Sequence, residues 1–457
     1  MRIPTAAGML AVGGAMLGVS VVGMRAGIEP FATWFYPFAW YSTLLVTEAV
    51  VALRDGRFFL LGRPGFALSL FGWSIPFWLS FELLNFRLAN WYYVFVPDGR
   101  AARWIGIAIS FATVLPAIFL AERALGAYGR WRETAADASP QSTTRAAARP
   151  GIGAGALLGL QALGLLCLVL PLAWPRFFFP LVWVGVTLLA DPWVYRRDAG
   201  RSLLHDLETR RSGRPVRLLV GGMAIGLLWE LFNASARGKW IYTVPGLEEL
   251  KLFEMPLLGF FGFPFLALEG WAAYQALVVA GLAVDVPDPG GPPGDRSHAP
   301  RPGWILAAAA LAAIFSALVL RGMEAGTISS TTPRLEEIGD PAARALGASG
   351  YDVFDLAAAD PGEVAAIAAI GPDRAAGWIE WARLVTLRGI GAENAARLRE
   401  AGVESLEELA AVSPEELAVR LSVRGAWVSS ARVRVWVRAA RTALEREPAP
   451  QDRLRVP

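Results

Sequence analysis

Nine stretches of this chain are each apolar enough, over roughly 20 residues, to fill the ~30 Å hydrocarbon core of a bilayer as a helix. They lie at about 5–24, 32–53, 66–86, 104–122, 152–173, 177–195, 218–234, 256–282 and 303–321. In lipid every backbone N–H and C=O must find its partner inside the segment or a closed barrel, so such stretches leave little choice but helix. The expected fold class is therefore all-α: a polytopic membrane helical bundle with a small soluble domain. Hydrophobic residues make up 54% of the 457, more than a water-soluble chain of this length readily hides. Arg2 ahead of the first apolar run has the look of a signal peptide, but no small-residue cleavage site follows, and a retained helix is expected.

Several chemistries are excluded early. The single cysteine, Cys167, lies in an apolar run, so there is no disulfide framework. Both histidines, His205 and His298, fall in polar loops, which argues against a His/Cys metal centre. There is no P-loop, no Gly-x-Ser-x-Gly elbow and no HExxH helix. Gly151-Ile-Gly-Ala-Gly155 mimics a dinucleotide fingerprint, but no strand precedes it and an apolar helix follows. Neither a metal nor a cofactor is expected.

The spans repeat. Phe81-Glu82-Leu-Leu-Asn85, closing on Val96-Pro97, recurs as Trp229-Glu230-Leu-Phe-Asn233, closing on Val244-Pro245, each proline fifteen residues past its Glu. Upstream, Tyr36-Pro-Phe-Ala-Trp40 matches Phe179-Pro-Leu-Val-Trp183. Without a gap, Glu48 then falls on Asp191, Arg54 on Arg197 and Asp55 on Asp198. Spans 1–4 thus repeat as spans 5–8, and an even number of crossings gives both units one orientation, a parallel repeat. Gly14/Gly18 and Gly155/Gly159 put small residues four apart in spans 1 and 5, where close helix packing is expected.

A carboxylate at a span's centre costs on the order of 3 kcal/mol to insert and is usually functional. Glu82, Asn85, Glu230, Asn233, Glu254 and Glu269 are accordingly the candidate catalytic or ion-binding groups. Glu82 and Asn85 share a helix face, as do Glu230 and Asn233. Trp91, Lys239, Trp240 and Tyr242 are candidate binding residues at the outer ends, although an interfacial aromatic belt explains the aromatics as well. A neutral buried Glu can donate a proton, and an ionised one can hold a cation or assist a transported proton. Glu122 stands next to Arg123, which is expected to neutralise it. Glu48/Asp55 and Asp191/Asp198 are acids seven apart that could hold Mg²⁺ against a diphosphate. Flanking Arg54, Arg196 and Arg197 favour ordinary interfacial ion pairs instead. The Pro-apolar-apolar-Trp element and the acidic spans are similar to elements of carotenoid cyclases and hydratases, too short a match to assign a family.

Connections on the N-terminal side carry about 17 Arg and Lys, against about 8 on the other, so a cytoplasmic N-terminus is expected. Nine spans then place the C-terminal domain on the opposite side of what is expected to be a bacterial inner membrane. The Arg-dense loop 196–217 is suited to anionic lipid headgroups.

Beyond residue 321 the sequence turns soluble and helical. Leu387-Arg-Gly389-Ile390-Gly391-Ala-Glu-Asn-Ala-Ala-Arg-Leu398 resembles the hairpin of helix-hairpin-helix domains. An upstream copy, Leu335-Glu-Glu-Ile338-Gly339, aligns with it, as does Gly350 with Gly402. The resemblance implies a tandem domain over about 334–444 whose hairpin amides commonly bind the DNA backbone. Here the hairpins carry Glu337, Asp340 and Glu393, and from residue 322 onward 16 Arg face 20 Asp and Glu, a net of −4. DNA affinity rests mainly on phosphate neutralisation, so a protein partner is expected ahead of DNA. The only basic cluster is Arg424, Arg432, Arg434, Arg438 and Arg441.

The expected organisation is a first membrane unit at 1–130, a linker at 131–150, a second unit at 151–283, a linker at 284–302 and a ninth span at 303–321. A short linker at 322–333, the helical domain at 334–446 and a tail at 447–457 complete it. Function is expected to be that of a membrane enzyme or carrier for a hydrophobic or amphiphilic small molecule, lipid or isoprenoid in kind. The alternative is a membrane-anchored tether that recruits protein or DNA.

Overall fold

The computed structural model describes residues 3–128, 151–244, 250–286, 302–423 and 428–446. The linker 131–150, most of the linker 284–302, Arg2, Pro245, His298, Arg424 and the tail 447–457 lie outside them. The described chain is mostly helical and falls into two units.

The first unit comprises Met1–Leu88, Trp104–Ala236 and Glu249–Gly322. Its helices are α1 (Ile3–Arg25), α2 (Phe31–Asp55), α3 (Pro64–Leu88), α4 (Arg100–Phe111), α5 (Val114–Tyr128), α6 (Ala154–Ala173), α7 (Val182–Arg197), α8 (Leu203–Glu208), α9 (Gly213–Ser235), α10 (Gly262–Val279) and α11 (Pro302–Gly326), the start of α4 up to Arg103 and the end of α11 from Met323 belonging to the second unit. Among the described residues eight segments are long and apolar enough to cross a membrane: Thr5–Arg25, Pro64–Leu88, Arg100–Tyr128, Ala154–Ala173, Pro175–Arg197, Gly213–Ser235, Leu257–Val279 and Gly303–Gly326. The expected stretch 32–53 is not among them. It lies within α2, which kinks at Trp34 (φ −109°, ψ 20°), and Tyr36, Tyr41, Ser42, Thr43, Thr47 and Glu48 dilute its apolar run.

Two spans are broken, each for a local reason. Between α4 and α5 the helix lapses at Ala112–Thr113, and Ser74 closes the gap: its hydroxyl donates to Phe111 O (2.6 Å) and accepts from Leu115 N–H (3.0 Å). Ahead of α7, Pro175 and Pro180 lack the N–H that a continuous helix needs, leaving a single turn at Pro175–Phe178 and a 3₁₀ turn at Phe179–Leu181.

The glycine pairs named from spacing do not make the helix contacts. A Cβ on Gly14, Gly18, Gly155 or Gly159 would meet nothing within 4 Å. The close approaches fall on Gly13, 3.0 Å from Val46, and on Gly164, 2.7 Å from the Leu189 backbone nitrogen. Spacing of four fixes a stripe but not which side of the helix faces a neighbour.

The second unit gathers Ala89–Arg103, Arg237–Glu248 and Met323–Pro457. It holds strands that the all-α expectation missed: β1 (Trp91–Val94) pairs antiparallel with β2 (Lys239–Tyr242), Trp91 opposite Tyr242 and Val94 opposite Lys239. Trp-Tyr-Tyr-Val and Lys-Trp-Ile-Tyr are aromatic and β-branched, which suits strand once the chain leaves the apolar helices. On its other edge β1 bridges in parallel to Ile328 and Val96 to Thr331. A further two-residue hairpin, Lys251–Leu252 with Met255–Pro256, belongs to the first unit.

The remainder of the second unit is α12 (Ala343–Ala348), α13 (Val353–Ala358), α14 (Pro361–Ala368), α15 (Pro372–Thr386), α16 (Gly391–Glu400), α17 (Leu406–Ala411), α18 (Pro414–Val423) and α19 (Ser430–Arg446). Its glycine turns share backbone detail. Gly339 and Gly391 both take left-handed φ (75° and 71°), as do Gly350 and Gly402 (90° and 81°). Asp352 and Ser405 cap corresponding helices. Leu346, Leu356, Val385, Leu398, Leu409 and Trp436 are fully buried in one core.

Arg103 ties this unit's entry and exit segments together. Its Nε and Nη2 donate to Glu324 Oε1 (2.9 Å) and Oε2 (2.7 Å), and its Nη1 donates to Pro97 O (2.6 Å). Lysine keeps the charge and loses the fork. Arg103→Lys is expected to cost about 2 kcal/mol, read as a lower thermal midpoint of the detergent-solubilised protein.

Candidate functional site

The paired Glu and Asn residues occupy the inner faces of α3 and α9. Glu82 and Glu230 are 0% exposed, Asn85 1% and Asn233 0%. One turn before Glu82, Trp78 Nε1 donates to Glu82 Oε1 (3.0 Å). At an offset of 148 residues, which carries Glu82 onto Glu230, the place of Trp78 is taken by Gly226. A Cβ there would run into the ring of Phe263, so beside Glu230 a phenyl wall from α10 stands where Glu82 has an indole donor. Tyr36 lies within electrostatic range of Glu230.

Aromatic rings surround both pairs in matching fashion. Trp40 packs on Trp229 with ring centres 5.5 Å apart, and Trp183, its counterpart, stacks on Phe81 at 5.4 Å and 18°. Trp78 reaches Trp229 at 6.4 Å, and Phe263 packs on Trp229 at 5.8 Å. These rings lie among the helices, whereas an aromatic belt would stand at their ends.

Glu269, on α10, is 0% exposed and faces α7. Val186 N–H donates to its Oε1 (2.9 Å), and its Oε2 has no hydrogen-bond partner among the described residues. A buried carboxylate oxygen with nothing to accept from is costly, which marks it as a group that a ligand or proton can satisfy. Glu254 sits in the two-residue turn between Lys251–Leu252 and Met255–Pro256, 8% exposed.

The remaining acids have structural duties. Glu122 pairs with Arg217 (2.7 Å), while Arg123 turns to Asp55, so the expected Glu122–Arg123 neutralisation gives way to two ion pairs between helices. Glu48 Oε1 accepts from Leu60 N–H (2.8 Å) and Leu61 N–H (3.1 Å). Asp191 accepts from Ser202 Oγ (2.7 Å), Leu203 N–H (2.9 Å) and Leu204 N–H (2.8 Å). Asp198 pairs with Arg201 at 2.7 Å. Among the described residues no three His, Cys, Asp or Glu side chains gather as a metal set.

Lys239, Trp240, Tyr242 and Trp91 are strand residues of the second unit, paired across the β1–β2 ribbon. The two glycine turns expected as hairpins, at Ile338–Gly339 and Gly389–Gly391, differ in surroundings. Ile338 is half-buried and Gly339 exposed, with nothing within 4 Å of a Cβ on Gly339. Burial pushes the nearby Glu337 carboxyl above its ordinary range, against the backbone N–H of Arg334 that it accepts from (3.0 Å). Ile390 is fully buried, a Cβ on Gly389 would collide with Val94, and one on Gly391 would lie 2.5 Å from Ser330 Cβ. Of the basic cluster, Arg432 is 7% exposed, its guanidinium 4.8 Å from the Tyr92 ring, and burial lowers its pKa.

Residues 351–443 match a family described as a domain of unknown function, DUF4332. That match starts after Gly339 and covers the second unit's helices from α13 to most of α19. No curated protein and no solved structure matches the chain.

Proposed function

We propose that this is an integral membrane protein of two parallel four-span units plus a ninth span, enclosing a carboxylate and amide site for a hydrophobic or amphiphilic small molecule, as enzyme or carrier. The observation that carries it is the complete burial of Glu82, Glu230 and Glu269 in apolar helices with Asn85 and Asn233 beside the first two. Carboxylates are retained at such depth chiefly for ligands, ions or protons. In this reading α2 is also a span, because Gly13 of α1 meets Val46 of α2 as antiparallel neighbours do.

Three correspondences support the duplication. Glu48 and Asp191 each accept backbone N–H groups twelve and thirteen residues downstream. Trp40–Trp229 and Trp183–Phe81 are one contact made twice with the units exchanged. The β1–β2 register pairs each position with its partner's equivalent, since 91, 92, 93 and 94 correspond to 239, 240, 241 and 242 and the first faces the last. Such self-complementarity is the mark of a two-fold, isologous interface, here between halves of one chain. The C-terminal helices share a unit with the connections after spans 3 and 7, which supports placing them opposite a cytoplasmic N-terminus. The doubled glycine turns are consistent with a tandem helix-hairpin-helix domain whose partner is protein rather than DNA.

The test is mass spectrometry of solvent extracts from the purified protein. A co-purifying amphiphile is expected in the wild type and at least tenfold less in Glu230→Gln and Glu269→Gln, with thermal midpoints unchanged. Variants that unfold while the wild type carries no such molecule would instead make these groups helix bridges.

A further inference from the structure

We propose that the Arg388–Gly391 turn is a receptor for an extended peptide strand, and that its resident ligand is Trp91–Val96 of the same chain. The turn and strand meet in detail within the second unit. Tyr92 OH donates to Arg388 O (3.1 Å), and the Arg432 guanidinium covers the Tyr92 ring at 4.8 Å. Gly389 leaves only enough space for the Val94 side chain, and Gly391 only enough for Ser330. Tyr92 and Val94 are two apart, so both point to one face of the strand, and that face meets the turn.

The strand's edge is held as well. Tyr93 N–H donates to Thr327 O (2.8 Å), Ser329 N–H to Tyr93 O (2.8 Å) and Thr332 N–H to Val96 O (3.1 Å). Asn394, on the helix that follows the turn, donates from Nδ2 to Ser329 O (2.9 Å). This is recognition by strand addition, in which main-chain bonds hold the peptide and alternate side chains select it. The ligand pattern is an aromatic hydroxyl followed two residues on by a β-branched side chain. A DNA phosphate would need the space that Val94 and Ser330 fill. Arg432, which covers the strand's tyrosine, is engaged by that ring and donates to Gly326 O (3.1 Å).

The experiment uses the full-length detergent-solubilised protein with Cys167→Ala and Ser330→Cys. Ser330 is 8% exposed, so a polar maleimide is expected to label it slowly. Gly389→Ala should speed labelling at least tenfold, because its Cβ takes the place of Val94. Gly402→Ala has the same left-handed strain with open space around it, and should leave the rate alone. Equal rates in the two variants would overturn the proposal. If Gly389→Ala fails to accumulate, Tyr92→Phe, which deletes only the hydroxyl, should raise the rate about threefold; an unchanged rate there also counts against it. Fluorescent duplex DNA at low salt supplies the other arm: binding by the wild type that Gly389→Ala loses would assign the turn to phosphate and overturn the strand assignment.

Discussion

Replacing Asp191 by alanine should lower stability by about 3–6 kcal/mol, the largest loss expected from any one side chain here. Its carboxylate accepts from the Ser202 hydroxyl and from two backbone N–H groups that begin α8. Those two N–H groups lie in the first turn of a helix, where no intrahelical carbonyl is available to them. Alanine leaves the Ser202 hydroxyl and Leu203 N–H facing a dry interior, each costing about 1–3 kcal/mol, and leaves Leu204 N–H with only its 3.1 Å bond to Ser202 Oγ. Asp191→Asn keeps one acceptor and should lose roughly half as much. Glu48→Ala removes acceptances from the Leu60 and Leu61 N–H groups but no hydroxyl donor, and is expected to fall nearer 2–4 kcal/mol. Thermal midpoints by fluorescence-detected size exclusion would rank the variants, and Glu48→Ala equal to or worse than Asp191→Ala would refute this account of the two acids.

The second large effect is steric. Gly164→Val should separate α6 from α7, because its Cβ would stand 2.7 Å from Leu189 N and 2.9 Å from Gly185 O. Both are backbone atoms within a helix and cannot swing aside as a side-chain end can. Overpacking of this kind typically costs 1–3 kcal/mol, and more where backbone must move. Gly159→Val, five residues earlier on α6, meets open space and should be neutral within about 0.5 kcal/mol. Comparable destabilisation by the two substitutions would contradict the α6–α7 packing.

The contrast shows where sequence reasoning stops. Gly155 and Gly159 are four apart, as helix-packing glycines often are, whereas Gly164 stands alone and is the one in contact. Glu122 offers the same lesson: its sequence neighbour Arg123 serves Asp55, and its own partner, Arg217, lies 95 positions away. Such choices depend on rotation about a helix axis, which a sequence does not record. By contrast, the burial of Glu82, Asn85, Glu230 and Asn233 was legible. A spacing of three puts Glu and Asn on one face, and an apolar helix has only one kind of place to hide that face. The strands at Trp91–Val94 and Lys239–Tyr242 were hidden by their shortness, since four residues carry too little alternation to be distinguished from an aromatic belt.

Length and hydropathy by themselves determined that the chain is a set of apolar helices, because no other structure satisfies so much backbone away from water. Recurrence of Glu-x-x-Asn and of Pro-apolar-apolar-Trp is the basis on which we propose that the helices correspond in two sets. Only the tertiary structure decided which carboxylates are satisfied by the protein itself. Asp191 is taken up by a hydroxyl and two backbone N–H groups and Glu122 by an arginine, while among the described residues Glu48 and Glu269 each keep one oxygen unanswered. The reason is that a hydrogen bond depends on where donors arrive in space, and here they arrive from helices and turns that sequence order does not bring together.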